Sequence, residues 1–335
     1  MSSMQIQGRD GVDADDSMVE PVKIREHANT LKAWFNLHPD MRCLLIIDPS
    51  QRDPMDGDAG DSSSFTSLPR TDVAIDHEAV SPSHWPYLLE LDLKTDSGIA
   101  ALEESVQLAF EDRRPQSMAE GLGQRIGGWL ASSASAAEVA VHCSRLALQN
   151  DDQGHLCLLR FYDPRSQALL WPMLAPAQRH ALLGPIQAWH TLDAGAVPVA
   201  RMNTTGRRED FVLDAAQWQA IHLHGIVNRA LALHAYEHDR QPKQHEVDSA
   251  VAAAVRARSY GLTDEEDEVT FVGHALSWHP EFDLHPQVLQ ILGSRADGDL
   301  YAECIGELTS DEIAEIRQGA WHERLRVSDS AGGRA

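Results

Sequence analysis

Short, almost continuous runs of apolar residues recur through the N-terminal part of the chain. Such runs are typical of strands buried on both faces of a sheet. They predict strands at 43–47, 87–93, 155–162, 186–192 and 197–202. Apolar residues at helical spacing predict helices between these strands, at 99–111, 135–149, 167–174 and 177–183. This alternation indicates an α/β lobe over residues 21–205, with a mixed sheet flanked by helices.

The pattern changes after Asp214, where only helical periodicity remains. A long helix over 214–238 is predicted by one apolar stripe, which consists of Leu223, Ile226, Val227, Ala230 and Leu231. Further helices are predicted at 246–260, after the capping box Thr263-x-x-Glu266, near 285–286, and after the capping box Thr309-x-x-Glu312. We therefore expect an all-helical lobe over residues 206–326.

Three segments offer little apolar surface to bury. Residues 1–20 are rich in Asp, Ser and Gly, which predicts a disordered acidic tail, and residues 327–335 predict a second disordered tail. Gly, Pro, Ser and Asp also dominate residues 48–70. This composition predicts a long surface loop within the α/β lobe.

The charge balance excludes one class of function. The 335 residues contain 28 Lys and Arg against 51 Asp and Glu, which gives a formal net charge of −23. Because such a surface repels phosphates, a nucleic-acid binder that relies on a basic surface is excluded. No run reaches the roughly 18 to 20 apolar residues that span a bilayer, and the N-terminal residues lack a signal-peptide pattern. We expect a cytoplasmic protein that contacts neither nucleic acid nor membrane.

One short pattern could bind a metal ion. His234, Glu237 and His238 form an H-x-x-E-H string, which in some zinc peptidases places two imidazoles on one helical face. However, His234 also continues the apolar stripe of the predicted helix, and such short motifs often arise by chance. We therefore assign no catalytic residue, no metal and no cofactor. A zinc-dependent hydrolase that uses residues 234–238 is the alternative hypothesis.

A glycine-rich stretch at 121–128 lacks both the preceding strand and the spacing of a phosphate-binding loop. It is interpreted as a flexible or kinked helical segment.

An acidic run begins the helix predicted after Thr263. Glu265, Glu266 and Asp267 could contact a basic partner and steer its association through charge. The same carboxylates would also stabilise the N-terminus of their own helix by facing its dipole. The helix-stabilising interpretation is favoured, and the three residues are kept as candidates for partner contact.

The most specific sequence signal lies at 156–192. A leucine-rich helix and a Gly-Pro turn before a Trp-bearing strand follow an RFYDPR block, which consists of Arg160, Phe161, Tyr162, Asp163, Pro164 and Arg165. These features resemble the signature region of the type VI secretion effector chaperones or adaptors, often called Tap or Tec proteins. Weaker matches extend the resemblance over about residues 40–320.

The resemblance implies an α/β lobe followed by a helical lobe, and a function without catalysis. Members of this family bind a toxic effector in the bacterial cytoplasm and load it onto the VgrG spike or a PAAR-type tip. The RFYDPR block is then either a structural motif or a contact surface for a partner. Asp163 precedes a proline at an abrupt turn, where a carboxylate often accepts backbone N–H groups, so the structural interpretation is favoured.

Overall fold

The computed structural model describes residues 13–56, 63–203, 210–296 and 298–322. It confirms the predicted fold class, because a sheet covered by helices is followed by a helical lobe. In the described part, no helix combines the length and the apolar character needed to cross a membrane. The predicted lobe boundary at 205–206 and the predicted tail at 327–335 lie outside the described residues.

The N-terminal lobe is built on a six-stranded sheet. In chain order the described strands are β1 (Arg42–Ile47), β2 (Arg70–Asp72), β3 (Tyr87–Leu91), β4 (Ile126–Ser132), β5 (Leu148–Asn150), β6 (Leu156–Leu158), β7 (Ile186–Leu192) and β8 (Pro198–Met202). β5 and β6 form a separate hairpin, and the main sheet has the order β2-β3-β1-β4-β7-β8. A mixed sheet was expected, but every described pair of neighbouring strands in it is antiparallel. The central strand β1, for example, runs antiparallel to both β3 and β4.

The helices of this lobe cover both faces of the sheet. They are α1 (Asp13–Leu37), α2 (Asp96–Asp112), α3 (Pro115–Ala119), α4 (Ala136–Ala147), α5 (Pro164–Met173) and α6 (Pro176–Leu183). Successive strand residues point to opposite faces, so β1 divides its side chains between two cores. Cys43, Leu45 and Ile47 pack with α1 and α2. Leu44 and Ile46 pack with α4, α5 and α6.

Helix α1 begins inside the segment predicted to be a disordered tail. It starts at Asp13, so residues 13–20 are helical, while residues 1–12 lie outside the described part. Ala28, Leu31 and Phe35 lie at helical spacing and are buried in the core shared with α2. This packing, rather than local composition, explains the helix, because most helical stability in proteins comes from burial of one face.

Three further expectations in this lobe require correction. The glycine-rich stretch at 121–128 does not form a helix but leads into β4, the strand beside β1. The helix predicted at 135–149 ends at Ala147, and its last residues pair as β5 with β6. The strand predicted at 155–162 is only the short β6, because the residues after Leu158 turn towards α5.

The segment predicted as a surface loop is anchored at both of its described ends. Residues 48–56 and 63–69 carry neither helix nor strand. Asp53 accepts a hydrogen bond from the Tyr87 hydroxyl at 2.6 Å, and Phe65 is fully buried. The loop therefore packs on the sheet at these two points.

The C-terminal lobe consists of helices α7 (Ala215–Ile221), α8 (His224–His238), α9 (Gln244–Ser259), α10 (Glu265–Ser277), α11 (Pro286–Ser294), α12 (Tyr301–Ile305) and α13 (Ser310–Gln318). The single helix predicted over 214–238 is broken at 222–223, close to Gly225, a poor helix former. The capping box at Thr309 and Glu312 is confirmed. The one predicted at Thr263 is wrong, because Asp264 is the residue that caps α10.

Small residues let the helices of this lobe approach one another closely. Ala250, Ala253, Ala254 and Ala257 form a fully buried stripe on α9 within the helical core. The two lobes are joined where Met118 of α3 packs against two alanines of α8. The amide of Gln241 also donates a hydrogen bond to the carbonyl of Arg113. These contacts fix the lobes against each other.

Candidate functional site

The RFYDPR block forms the turn between the β5–β6 hairpin and α5; we call residues 160–165 the RFYDPR turn. The Asp163 N–H donates to the carbonyl of Arg160 at 3.1 Å, which closes the turn. Asp163 caps α5, since its Oδ1 accepts the backbone N–H of Arg165 at 2.9 Å, and Pro164 occupies the first helical position. The carboxylate thus accepts a backbone N–H, in the way the sequence indicated.

Asp163 is also the centre of a buried ion-pair network. Its two carboxylate oxygens accept from Arg165 Nε at 3.1 Å and from an Arg165 terminal nitrogen at 2.7 Å. Arg160 lies 4.0 Å from Asp163 and pairs with Asp48, which directly follows β1. Burial opposes ionisation of Asp163, but the guanidinium charges of Arg165 and Arg160 and the hydrogen bonds from Arg165 outweigh it and lower the pKa of this carboxyl to about 2.

The two aromatic residues of the turn pack directly on the central strands. The ring of Phe161 meets that of Trp189 edge-on, with the centroids 6.0 Å apart. The carbonyl of Tyr162 approaches Gly127 of β4 so closely that a Cβ atom at Gly127 would lie 2.5 Å from the Tyr162 oxygen. Sequence reasoning missed this role of Gly127. A glycine inside a strand pattern is the signal that could have found it, because it often marks a close backbone approach.

A second ionic cluster continues the network at the end of α2. Asp112 is 1% exposed and pairs with Arg125 and Arg52, each at 2.7 Å. The adjacent Arg113 is buried, and it donates to the carbonyl of Leu192 at 3.1 Å. Burial, reinforced by the charge of Arg165, lowers the pKa of Arg113 to about 10. None of these residues was singled out from the sequence, where Asp112 and Arg113 appear as an ordinary charged helix end and Arg52 and Arg125 lie in segments rich in glycine.

The RFYDPR turn therefore offers little to an external partner. Phe161, Tyr162, Asp163 and Pro164 are buried, and the Arg160 and Arg165 side chains are 34% and 21% exposed. Both arginines are bound to carboxylates of the same chain. This geometry favours the structural interpretation of the motif over a contact surface.

A cleft of about 860 Å³ lies where the two lobes meet; we call it the interlobe cleft. Its walls come from α1, the end of α2, the β7–β8 turn and the segment after α8. Its bases are Lys23, Arg113, Arg114 and Arg240, and its acids are Glu20, Glu26 and Asp239. Although the chain carries a net charge of −23, this lining is nearly balanced and includes the apolar Phe110 and Val197.

The H-x-x-E-H string lies in the last turn of α8, next to this cleft. His234, Glu237 and His238 each place one ligand atom within 4.8 Å of the others. His234 is buried, while Glu237 and His238 are exposed. The structure thus brings together the three residues that the sequence identified; we call them the His234 cluster.

The acidic run at the start of α10 divides into two parts. Glu265 and Glu266 are exposed and remain accessible to a partner. Asp267 is buried and accepts the backbone N–H groups of Tyr301 at 2.7 Å and Ala302 at 3.0 Å, the first two of α12. The Asp267 carboxylate therefore stabilises the start of α12 inside the protein, and it does not fit the expected role in partner binding.

Comparison with known proteins identifies one domain. No curated protein and no solved structure matches the chain significantly. Residues 77–181 match the family model described as Domain of unknown function (DUF4123), which covers just under a third of the chain. The match runs from the segment before β3 to α6 and includes the whole RFYDPR turn. The chain therefore contains a DUF4123 domain at residues 77–181.

Proposed function

We propose that this protein is a non-catalytic chaperone or adaptor for a type VI secretion effector. It binds the toxic effector in the cytoplasm and loads it onto the VgrG spike or a PAAR-type tip. The observation that carries the proposal is the DUF4123 domain at 77–181, because it contains the RFYDPR block on which the resemblance to effector chaperones rests.

The geometry supports separate structural and binding regions within such an adaptor. The arginines of the RFYDPR turn form ion pairs with Asp48 and Asp163 of the same chain. The turn therefore has a structural role, because it holds the loop after β1 against the start of α5. The surface that meets the effector is then the interlobe cleft, which offers apolar area together with charges of both signs. Such a lining suits a polypeptide segment, because protein interfaces combine apolar contacts with a polar rim.

The proposal is tested by deleting the gene in a bacterium that secretes through a type VI system. The medium is then analysed for effectors and for the spike protein. We expect one effector to disappear from the medium while the spike protein is still released, because loading and not firing is lost. If all effectors are released at the parent level, the protein is not a loading factor.

A matched pair of variants tests whether the interlobe cleft is the binding surface. Val197 lines the cleft and is 55% exposed, whereas Val141 on α4 lies outside the cleft lining and is 52% exposed. In the complemented deletion strain, Val197→Lys should reduce release of the effector and Val141→Lys should not. Equal release of the effector by both variants would show that the binding surface is not the interlobe cleft.

A further inference from the structure

The last turn of α8 contains a buried imidazole nitrogen without a hydrogen-bond partner among the described residues. His234 is 4% exposed, yet its Nδ1 has no hydrogen-bond partner among the described residues. A buried polar atom without a partner costs on the order of 1 to 3 kcal/mol, so native structures rarely keep one without a reason. An unpaired nitrogen at this position therefore points to a ligand.

The hydrogen bonds around the cluster fix which nitrogens carry protons. His234 Nε2 lies 3.2 Å from Oε1 of Glu246. A carboxylate only accepts, so Nε2 carries the proton and Nδ1 keeps its lone pair. Arg240 donates hydrogen bonds to both oxygens of the same Glu246 carboxylate. A histidine held by a carboxylate in this way is the usual arrangement behind a metal-binding imidazole.

The hydrogen bond made by His238 likewise shows which of its ring nitrogens carries the proton. Its Nδ1 lies 2.9 Å from the backbone carbonyl of His234, which can only accept, so Nδ1 is the donor. The lone pair of the neutral ring is therefore on Nε2, and the ring is exposed. Glu237 adds an exposed carboxylate that makes no hydrogen bond or ion pair within the described part of the chain.

We infer that His234, Glu237 and His238 bind a divalent first-row transition-metal ion of the Zn²⁺ class. One candidate ligand atom of each residue lies within 4.8 Å of the other two, and a tetrahedral ion with bonds of about 2.1 Å needs its ligand atoms about 3.4 Å apart, so the side chains must draw closer to close the site. Imidazole and carboxylate ligands suit this class of ion. The negative end of the α8 dipole adds to the attraction. The inference does not depend on the proposed adaptor function.

Binding is tested by titrating the full-length protein with Co²⁺, followed by its visible d–d absorption, and with Zn²⁺, followed by calorimetry. We expect one equivalent to bind with saturation. His238→Ala and Glu237→Gln change exposed side chains, so both should fold like the parent. His238→Ala should weaken binding at least tenfold, the scale on which even supporting residues of metal sites act. Glu237→Gln should weaken it severalfold.

His245→Ala is the matched control, since His245 is an exposed histidine of the same lobe that lies outside the cluster. It should bind the metal like the parent. Three results would overturn the inference: no saturable binding by the parent, unchanged affinity in His238→Ala, or an equal loss in His245→Ala. Effector release from a strain that carries His238→Ala separates this site from the adaptor function, because release should persist when metal binding is lost.

Discussion

The RFYDPR turn and the His234 cluster both concentrate titratable side chains, but they use them in opposite ways. In the turn, the Asp163 carboxylate is satisfied by Arg165 and by the helix it caps. In the cluster, Nε2 of His234 is bound by Glu246, whereas its Nδ1 has no hydrogen-bond partner among the described residues. The Asp163 carboxylate is thus used within the fold, whereas the unpaired nitrogen of His234 is the basis of the proposed metal site.

This difference shows that a recognisable motif need not be the part of a protein that acts on its surroundings. The RFYDPR block carries the family resemblance, yet its contacts maintain the fold. The features that we propose to receive a partner or a ligand are the interlobe cleft and the His234 cluster, which lie at the junction with the helical lobe. Glu246 connects the two, because it binds both His234 and the cleft residue Arg240.

The largest effect should follow the loss of Asp163. Asp163→Ala removes the partner of Arg165 and the cap of α5. Breaking a buried ion pair from one side costs on the order of 3 to 5 kcal/mol, which we expect in the free energy of unfolding measured with urea. Asp248→Ala, an exposed carboxylate on α9, serves as the control and should change stability by less than about 0.5 kcal/mol.

The Asp163 carboxylate should also make the free energy of unfolding depend on pH. The folded protein lowers the pKa of Asp163 from 3.8 to about 2, so its ionised form favours folding. This contribution, on the order of 2 to 3 kcal/mol, is present above pH 4 and is lost as the pH falls through about 2. The difference in unfolding free energy between the parent and Asp163→Asn should shrink over that range. A difference that is constant with pH would contradict an ionised Asp163.

A smaller effect is expected where the turn meets the sheet. In Gly127→Ala the new methyl group would clash with the Tyr162 carbonyl, and such overpacking typically costs 1–3 kcal/mol. Gly273→Ala is the matched control, because the Cβ that it would add on α10 meets no described atom within 4 Å beyond its chain neighbours and its own helix backbone. It should raise stability by up to about 1 kcal/mol through helix propensity. Thermal unfolding of both variants measures the difference between their stabilities. Similar melting temperatures would contradict a steric role for Gly127.

The sequence predicted those parts of the fold that depend on local pattern. The apolar runs of β1, β3 and β7 and the capping box at Thr309 were identified, because burial on both faces and local hydrogen bonds leave clear signals. Helix α1 was missed, since it depends on packing against α2 and the sheet. Gly127 of β4 was assigned to a helical segment because the group that requires a glycine there, the Tyr162 carbonyl, comes from a distant part of the chain.

The candidate sites show the same limit. The residues of the His234 cluster were identified by their spacing, since i, i+3 and i+4 positions share one helical face. The contribution of Glu246 could not be seen, because it comes from the next helix. Asp112 and Arg113 were missed as well, since burial of their charges is visible only in the folded chain.

The smallest effects should separate the acidic residues at the start of α10. Asp267→Ala removes the acceptor of two α12 N–H groups and should cost about 1 to 2 kcal/mol in urea unfolding. The exposed pair Glu265→Gln and Glu266→Gln should cost less than about 1 kcal/mol. If these carboxylates steer the effector, the double variant associates more slowly, and its association rate depends less on salt. An unchanged rate and salt slope would leave them with a helix-stabilising role alone.

The central claim is that the RFYDPR turn frames the fold while the interlobe cleft binds the effector. It is tested most directly by measuring melting temperature and affinity for the effector identified in the secretion experiment, in Asp163→Asn and Val197→Lys. We predict that Asp163→Asn lowers the melting temperature and that its folded fraction binds with the parent's affinity. Val197→Lys should keep the melting temperature and bind more weakly. If Asp163→Asn melts like the parent but loses the effector, the turn is the contact surface and the account is wrong.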